Sequence, residues 1–488
     1  MSHSLSTAFA LDTLKIVTGT TLAQIIVLLS SPILTRLYGP EAFGILGIFS
    51  SIITIIGTIA CMSLDYAILL PKEDDKAVNL LGLSLIMVMI ITSLTLPLVY
   101  FGEEFIVGLL GAPELRPYLI LVPPSVFVSG IFLALNSWNS RTKHFGRLAV
   151  AQVTQSFAST GIRLGSGFAG YATGGGLIGA QVVGSLVSTG ILGGQIWWDD
   201  HVLLRRSVSW NGMWDGLKRY IKFPLVDSGS RLLNAISWQL PVFLLAAFFS
   251  PEVAGFYVLG FMVFQMPMNL IGTSIGRVFL QRASVARFNG TLPILVENVF
   301  RVLAIIGMFP ILTVTLLGPE IFSVVFGEVW AEAGLYAQIL GLWAFVWFIA
   351  SPLSLLWAVL EKQEFGLQFT VLNFVTRLIS LILGASVGSP VIALLLFAIS
   401  GFFVYGYLSM KMVLFSSVPL IQVKRHVLTS FKLFTPFGAA LIGLKFANIE
   451  ALFLVIITIV FGLVYYLYVF RMEPQMRVII SDLRSTHK

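Results

Sequence analysis

Long apolar runs separated by short polar turns recur along the whole chain, at about 12 to 35, 41 to 70, 77 to 101, 116 to 138, 147 to 170, 174 to 198, 223 to 249, 252 to 280, 293 to 317, 331 to 360, 365 to 385, 389 to 413, 427 to 446 and 449 to 470. A helix needs roughly 20 apolar residues to cross the hydrocarbon of a bilayer. Each run meets that length, so the pattern predicts an all-α polytopic membrane protein of about 14 transmembrane helices. Composition agrees: 57% of the residues are hydrophobic and 11% charged, against about 25% charged in an average soluble domain.

Charge orients the spans. Threaded from a cytoplasmic start, the loops on one side collect most of the Lys and Arg residues, including Arg141, Lys143 and Arg147, the run from Arg205 to Lys222, Lys424, Arg425 and Lys432, and Arg477, Arg484 and Lys488. The other side holds Arg36, Arg116 and Lys445. By the positive-inside rule both termini are expected in the cytoplasm of a bacterium, with the chain in its inner membrane. The net charge of +7 is scattered over short loops, where it sets topology and touches anionic lipid, so nucleic acid is not an expected partner. The first run is long and lacks a small-residue cleavage site, which reads as a retained anchor. Cys61 stands alone within a span, excluding a disulfide or thiolate metal framework. His3, His144, His201, His426 and His487 sit in loops or near the termini, with no metal spacing and no nucleophilic triad. Neither an enzyme nor a cofactor is expected.

A polar interruption from Trp198 to Lys222, with Trp210, Trp214 and Tyr220 among its basic residues, reads as a cytoplasmic linker with an interfacial amphipathic helix. It divides the chain into a lobe at 1–198, the linker at 199–222, a second lobe at 223–413 and a terminal helix pair with tail at 414–488. The lobes echo one another. Pro40-Glu41-Ala42-Phe43-Gly44 recurs as Pro251-Glu252-Val253-Ala254-Gly255, Pro32 as Pro241, Phe145-Gly146 as Phe365-Gly366, and Arg163-Leu164 as Arg377-Leu378. Six spans per repeat keep both copies in one orientation, so two parallel-repeat six-helix lobes are expected around a central cavity.

Candidate chemistry lies in polar residues at helical spacing inside apolar runs, because hydrocarbon cannot satisfy them. Span 1 carries Thr20, Gln24, Ser31 and Thr35 before Arg36; span 5 carries Gln152, Ser156, Ser159 and Arg163; span 7 opens with Asp227, Arg231 and Asn234; span 8 carries Gln265, Asn269 and Thr273; span 11 carries Asn373, Arg377 and Ser380. One such stripe is commonly helix-to-helix glue; repeated stripes that end in arginine point to a wetted cavity. Arg163 and Arg377 lie roughly 20 Å or more from the cytoplasmic ends of their helices, too deep to reach that surface easily. Arg231 has Asp227 as its i, i+4 neighbour, and Asp65 near the end of span 2 is expected either to pair with a cavity arginine or to cap its helix. Asp65 and Asp227 are also the candidate coupling acids. A guanidinium is permanently charged and its planar fork suits phosphate and carboxylate, so an arginine-rich cavity with few acids favours an anionic headgroup.

The segment Pro32-Ile33-Leu34-Thr35-Arg36-Leu37-Tyr38-Gly39-Pro40-Glu41-Ala42-Phe43-Gly44, followed by Asp65 and Pro71, resembles the opening block of bacterial polysaccharide-unit flippases, the O-antigen and capsule translocases of the multidrug and oligosaccharidyl-lipid exporter superfamily. Layout and length resemble that family over essentially the whole chain, and residue detail over the first two spans. The resemblance implies alternating-access movement of an undecaprenyl-diphosphate-linked oligosaccharide to the outer leaflet for surface polysaccharide biosynthesis. It also implies a cationic cavity, for which Arg36, Arg163, Arg231 and Arg377 are the matching positions, and polysaccharide polymerase and chain-length machinery as partners besides substrate and membrane lipid. The second Pro-Glu turn has no counterpart of Arg36. Two other functions fit the same architecture: a cation-coupled multidrug exporter, which needs a buried carboxylate pair, and a non-transporting partner in a polysaccharide assembly complex, which needs no cavity charge.

Overall fold

The computed structural model describes residues 2–472. The expected basic tail at 473–488 and the side chains of Lys15, Thr20, Thr273 and Arg277 lie outside the described residues. Among those described there is no strand; the helices are α1 (Ser2–Leu37), α2 (Pro40–Ile59), α3 (Leu64–Ala67), α4 (Asp74–Leu110), α5 (Val122–Thr142), α6 (Phe145–Phe168), α7 (Gly174–Ser207), α8 (Trp210–Arg219), α9 (Ser228–Phe248), α10 (Pro251–Pro267), α11 (Thr273–Phe288), α12 (Leu292–Phe326), α13 (Ala331–Ser354), α14 (Leu356–Val359), α15 (Gln363–Ser386), α16 (Pro390–Phe415), α17 (Leu420–Phe446) and α18 (Ala451–Met472). Eleven helical segments among the described residues are long and apolar enough to cross a membrane. They correspond to all the expected spans but the first, fifth and eighth. In the first, Thr21–Leu37 is the apolar helix described. In the fifth, α6 has the length but is diluted by its polar stripe. The eighth is interrupted.

Two expected boundaries need correction. The span read as 41 to 70 stops at Ile59, and the chain turns through Met62 and Ser63 at φ 50° and 57° into the one-turn helix α3. Packing overrides the apolar pattern here: Ala60 and Cys61 are fully buried, and the Cys61 thiol donates to the Gly130 carbonyl at 3.3 Å. The span read as 252 to 280 breaks after Pro267 into a π turn, Met268–Gly272. A second π turn, Phe223–Asp227, follows the linker and contains Pro224. Proline lacks the N–H that a regular α-turn requires, which favours such wider turns.

The chain divides into two compact units, Met1–Gly255 and Phe256–Lys488. In the first, α6 packs between α1 and α7, while α2 packs against α5, α7 and α9. Pro32 lies inside α1; the Leu28 carbonyl that a residue-32 amide would have bonded accepts the Ser31 hydroxyl at 2.8 Å instead. The two copies of the Pro-Glu-x-x-Gly turn meet within this unit. A Cβ on Gly44 would lie 1.7 Å from the Pro251 carbonyl oxygen, and one on Gly255 would lie 1.9 Å from that of Pro40. Only glycine permits this reciprocal backbone approach.

In the second unit α13 packs against α12 and α16, and α15 against α16. The terminal pair α17 and α18 lies on α12, where the Tyr465 and Tyr466 hydroxyls donate to the Ile305 and Ile306 carbonyls, both at 2.9 Å. Prolines 310 and 319 flank a break in α12 at Leu317 (φ −123°), and Lys445 of α17 pairs with Glu320 at 2.7 Å.

Candidate functional site

The stripe read along span 5 is physically present on α6: Gln152, Ser156, Ser159 and Arg163 recur every three or four residues and all are half-buried. Helix α1 runs beside it, positioned by small residues. A Cβ on Gly19 would lie 2.4 Å from that of Ala149, and the Tyr38 hydroxyl donates to the Arg163 carbonyl at 2.7 Å. The polar atoms facing this zone are not matched to one another. The amide oxygens of Gln24 and Gln152 and the Nε of Arg163 are buried and meet no hydrogen-bond partner among the described residues. No carboxylate lies within ion-pair range of the Arg163 guanidinium among those residues either. An uncompensated buried charge is costly, on the order of several kcal/mol after relaxation, so Arg163 offers a strong site for an anion or water.

A second cluster joins residues far apart in sequence. The Arg231 Nη1 donates to Asp65 Oδ1 at 3.1 Å and to the Ser63 hydroxyl at 3.4 Å, and its guanidinium stacks 4.6 Å from the centroid of Tyr66. Asp65 is 1% exposed. The structure therefore pairs Arg231 with Asp65 rather than with its i, i+4 neighbour Asp227. Asp227 keeps one buried carboxylate oxygen that meets no donor among the described residues. The left-handed turn at Met62 and Ser63 brings Asp65 to Arg231, and Ser228 fixes it by donating to the Ser63 hydroxyl at 3.0 Å.

Arg377, expected from the sequence to match Arg163 in the second lobe, is placed differently. It is 1% exposed in the second unit, with its guanidinium 5.8 Å from the Trp343 ring, 5.6 Å from Phe397 and 5.9 Å from Tyr405, and it donates to the Tyr405 hydroxyl at 3.3 Å. Trp343 in turn packs against Phe261 and Trp347 at 5.7 Å each, and those two rings meet each other at 5.6 Å. Asn373 and Ser380, one turn to either side on α15, are buried too. The expectation of a wetted Arg377 is thus not how the structure presents it; aromatic side chains of α13 and α16 enclose it.

The other expected residues are dispersed. Arg36 is exposed at the end of α1 and donates to the Pro32 carbonyl at 2.9 Å, while Asn234, Gln265 and Asn269 are exposed on their helices. The structure adds residues that the sequence reading missed. Gln181 accepts from Ser50, and Gln239 from Ser51, both at 2.9 Å. Tyr38, 1% exposed, ties α1 to α6 through Arg163 and Ser166. Tyr38 was discoverable, since it stands two residues after Arg36 in the same motif. The glutamines carried no spacing signal. Among the described residues there is no cluster of His, Cys, Asp and Glu suited to a metal.

The all-helical fold is similar to that of solved flippases and multidrug transporters. The inward closed conformation of the lipid II flippase MurJ superposes with a TM-score of 0.73 at 15% identity, covering 93% of this chain and 98% of that one. An inward-facing multidrug resistance MATE family transporter gives 0.64 at 14%, covering 85% and 99%, and a point mutant of the Vibrio cholerae MATE transporter VcmN gives 0.55 at 16%, covering 85% and 98%. No curated protein matches the chain. The model of one family, described as polysaccharide biosynthesis protein, matches residues 33–335. The chain belongs to that polysaccharide biosynthesis protein family.

Proposed function

We propose that this chain is a flippase that carries an undecaprenyl-diphosphate-linked oligosaccharide from the cytoplasmic to the outer leaflet of a bacterial inner membrane, by alternating access, for surface polysaccharide such as O-antigen. The observation that carries the reading is the unneutralised guanidinium of Arg163 on a helix that also presents Gln152, Ser156 and Ser159. A diphosphate cannot cross hydrocarbon unaided, and a bidentate guanidinium is suited to receive it. The amides and hydroxyls of α6, with Gln24 of α1, have the donors and acceptors that sugar hydroxyls require. Arg36 and Arg231 add to the positive field of the same unit, and Asp227 is the candidate coupling acid. Membership of a polysaccharide biosynthesis family supports the cargo class. Both termini are cytoplasmic in this reading, and the polymerase and chain-length machinery are the downstream partners.

The reading is tested by replacing the chromosomal copy with Arg163→Ala, Arg163→Lys and the parent sequence. Surface polysaccharide should vanish in the alanine variant at unchanged membrane levels, and return in part with lysine. Undiminished polysaccharide in Arg163→Ala would remove the anion-binding role. A cation-coupled drug exporter is the second reading, favoured by the MATE fold and by the buried Asp65 and half-buried Asp227; drug resistance on overexpression that depends on Asp227 would support it.

A further inference from the structure

We propose that the exposed face of α8 is a docking surface for the anionic phospholipid headgroups of the leaflet on which it lies. The helix has three stripes. Gly212, Met213, Gly216 and Leu217 face the protein, with Met213 8% exposed and its methyl pressed against Gly82 of α4, where an added Cβ would lie 2.7 Å away. Next round the wheel come Trp210, Trp214 and Lys218, spaced by four residues. Trp210 is 72% and Trp214 52% exposed, and the Lys218 ammonium sits 5.5 Å over the Trp214 ring. Asp215 and Arg219 occupy the third stripe.

The fastening is specific. Asn79 of α4 donates to the Ser207 carbonyl at 2.9 Å and accepts from the Ser209 amide at 2.8 Å. The Ser209 hydroxyl then caps the helix by accepting from Gly212 at 3.1 Å. α8 is therefore a held platform, and its tryptophans point away from their own protein. Indole rings concentrate at the headgroup level of bilayers, where one edge is wet and the body apolar. The charge selects the lipid. Arg205, Arg206, Lys218, Arg219 and Lys222 crowd this linker, while the nearby Asp199 and Asp200 are already engaged by Arg147 at 2.6 and 3.3 Å. Basic residues beside a bilayer draw acidic headgroups electrostatically. The occupant is accordingly a phosphatidylglycerol-like anionic lipid, distinct from the cargo that Arg163 receives.

The test uses the full chain in phosphatidylcholine nanodiscs with and without phosphatidylglycerol. Hydrogen exchange across residues 208–222 should slow when the anionic lipid is present, and native mass spectrometry should find phosphatidylglycerol retained in preference to phosphatidylcholine. The double variant Lys218→Gln/Arg219→Gln should bind it about 30-fold more weakly with unchanged thermal stability. Trp210→Ala/Trp214→Ala should lose affinity while keeping its salt dependence. Equal protection in pure phosphatidylcholine, or equal retention of phosphatidylglycerol by the charge variant and the parent, would overturn the proposal.

Discussion

Arg163 of α6 and Arg377 of α15 share a residue type and a following leucine, yet their surroundings differ. Arg163 is half-buried among small and polar side chains. Arg377 is closed in by Trp343, Phe397 and Tyr405. A cation over desolvated ring faces gains about 2 kcal/mol or more, so rings can hold a charge in the absence of an anion. The same guanidinium thus stands in two settings, and its neighbours decide what each can do. Under the proposed function, the first unit leaves its charge to act on a ligand. In the second it is used to hold α13, α15 and α16 together.

That contrast predicts opposite phenotypes. The largest effect is expected on transport: Arg163→Ala should lower the rate of lipid-linked oligosaccharide translocation in proteoliposomes on the order of 100-fold, the loss of one charge-assisted bidentate contact worth about 3 kcal/mol. Its thermal stability should stay level or rise, because the variant removes an unpaired charge. Arg377→Ala should do the reverse, costing about 3 kcal/mol of stability by emptying a packed ring enclosure, seen as an earlier unfolding midpoint in detergent-solubilised protein. Transport normalised to folded protein should fall less than for Arg163→Ala. If both variants unfold alike, the two sites are one kind of site.

The Asp65–Arg231 pair sharpens the contrast inside the first unit. Arg231→Met should destabilise by about 2 to 3 kcal/mol because it strands the buried Asp65, and Asp65→Asn by somewhat less because Arg231 is 18% exposed and retains Tyr66. The double variant should cost less than the sum, and additive losses would deny the pairing. The smallest effect is expected for Tyr38→Phe, which deletes one hydroxyl shared between the Arg163 carbonyl and Ser166. About 1 kcal/mol of stability should be lost, with a measurable drop in transport if this contact aims Arg163.

Fold class and the polar stripes were legible because both are local: hydropathy over 20 residues, and spacings of three or four along one helix. The stripe on α6 needed no tertiary information. The repeated Pro-Glu-x-x-Gly turn was visible as a repeat, but that Gly44 and Gly255 approach each other's backbones follows only from the packing of α2 with α9 and the start of α10. The partner of Arg231 was open between Asp227 and Asp65, and two left-handed residues, Met62 and Ser63, decided it by turning Asp65 toward Arg231. Neither residue type signals that conformation. The enclosure of Arg377 draws on α13 and α16, whose tryptophans and phenylalanines look like ordinary membrane-span residues when read in line.

The decisive measurement is equilibrium binding of an undecaprenyl-diphosphate-linked oligosaccharide to the purified full chain in nanodiscs, compared among the parent, Arg163→Ala and Arg163→Lys. An anion-receiving Arg163 predicts affinity falling on the order of 100-fold in the alanine variant and recovering in part with lysine. The same affinity in all three proteins would contradict it.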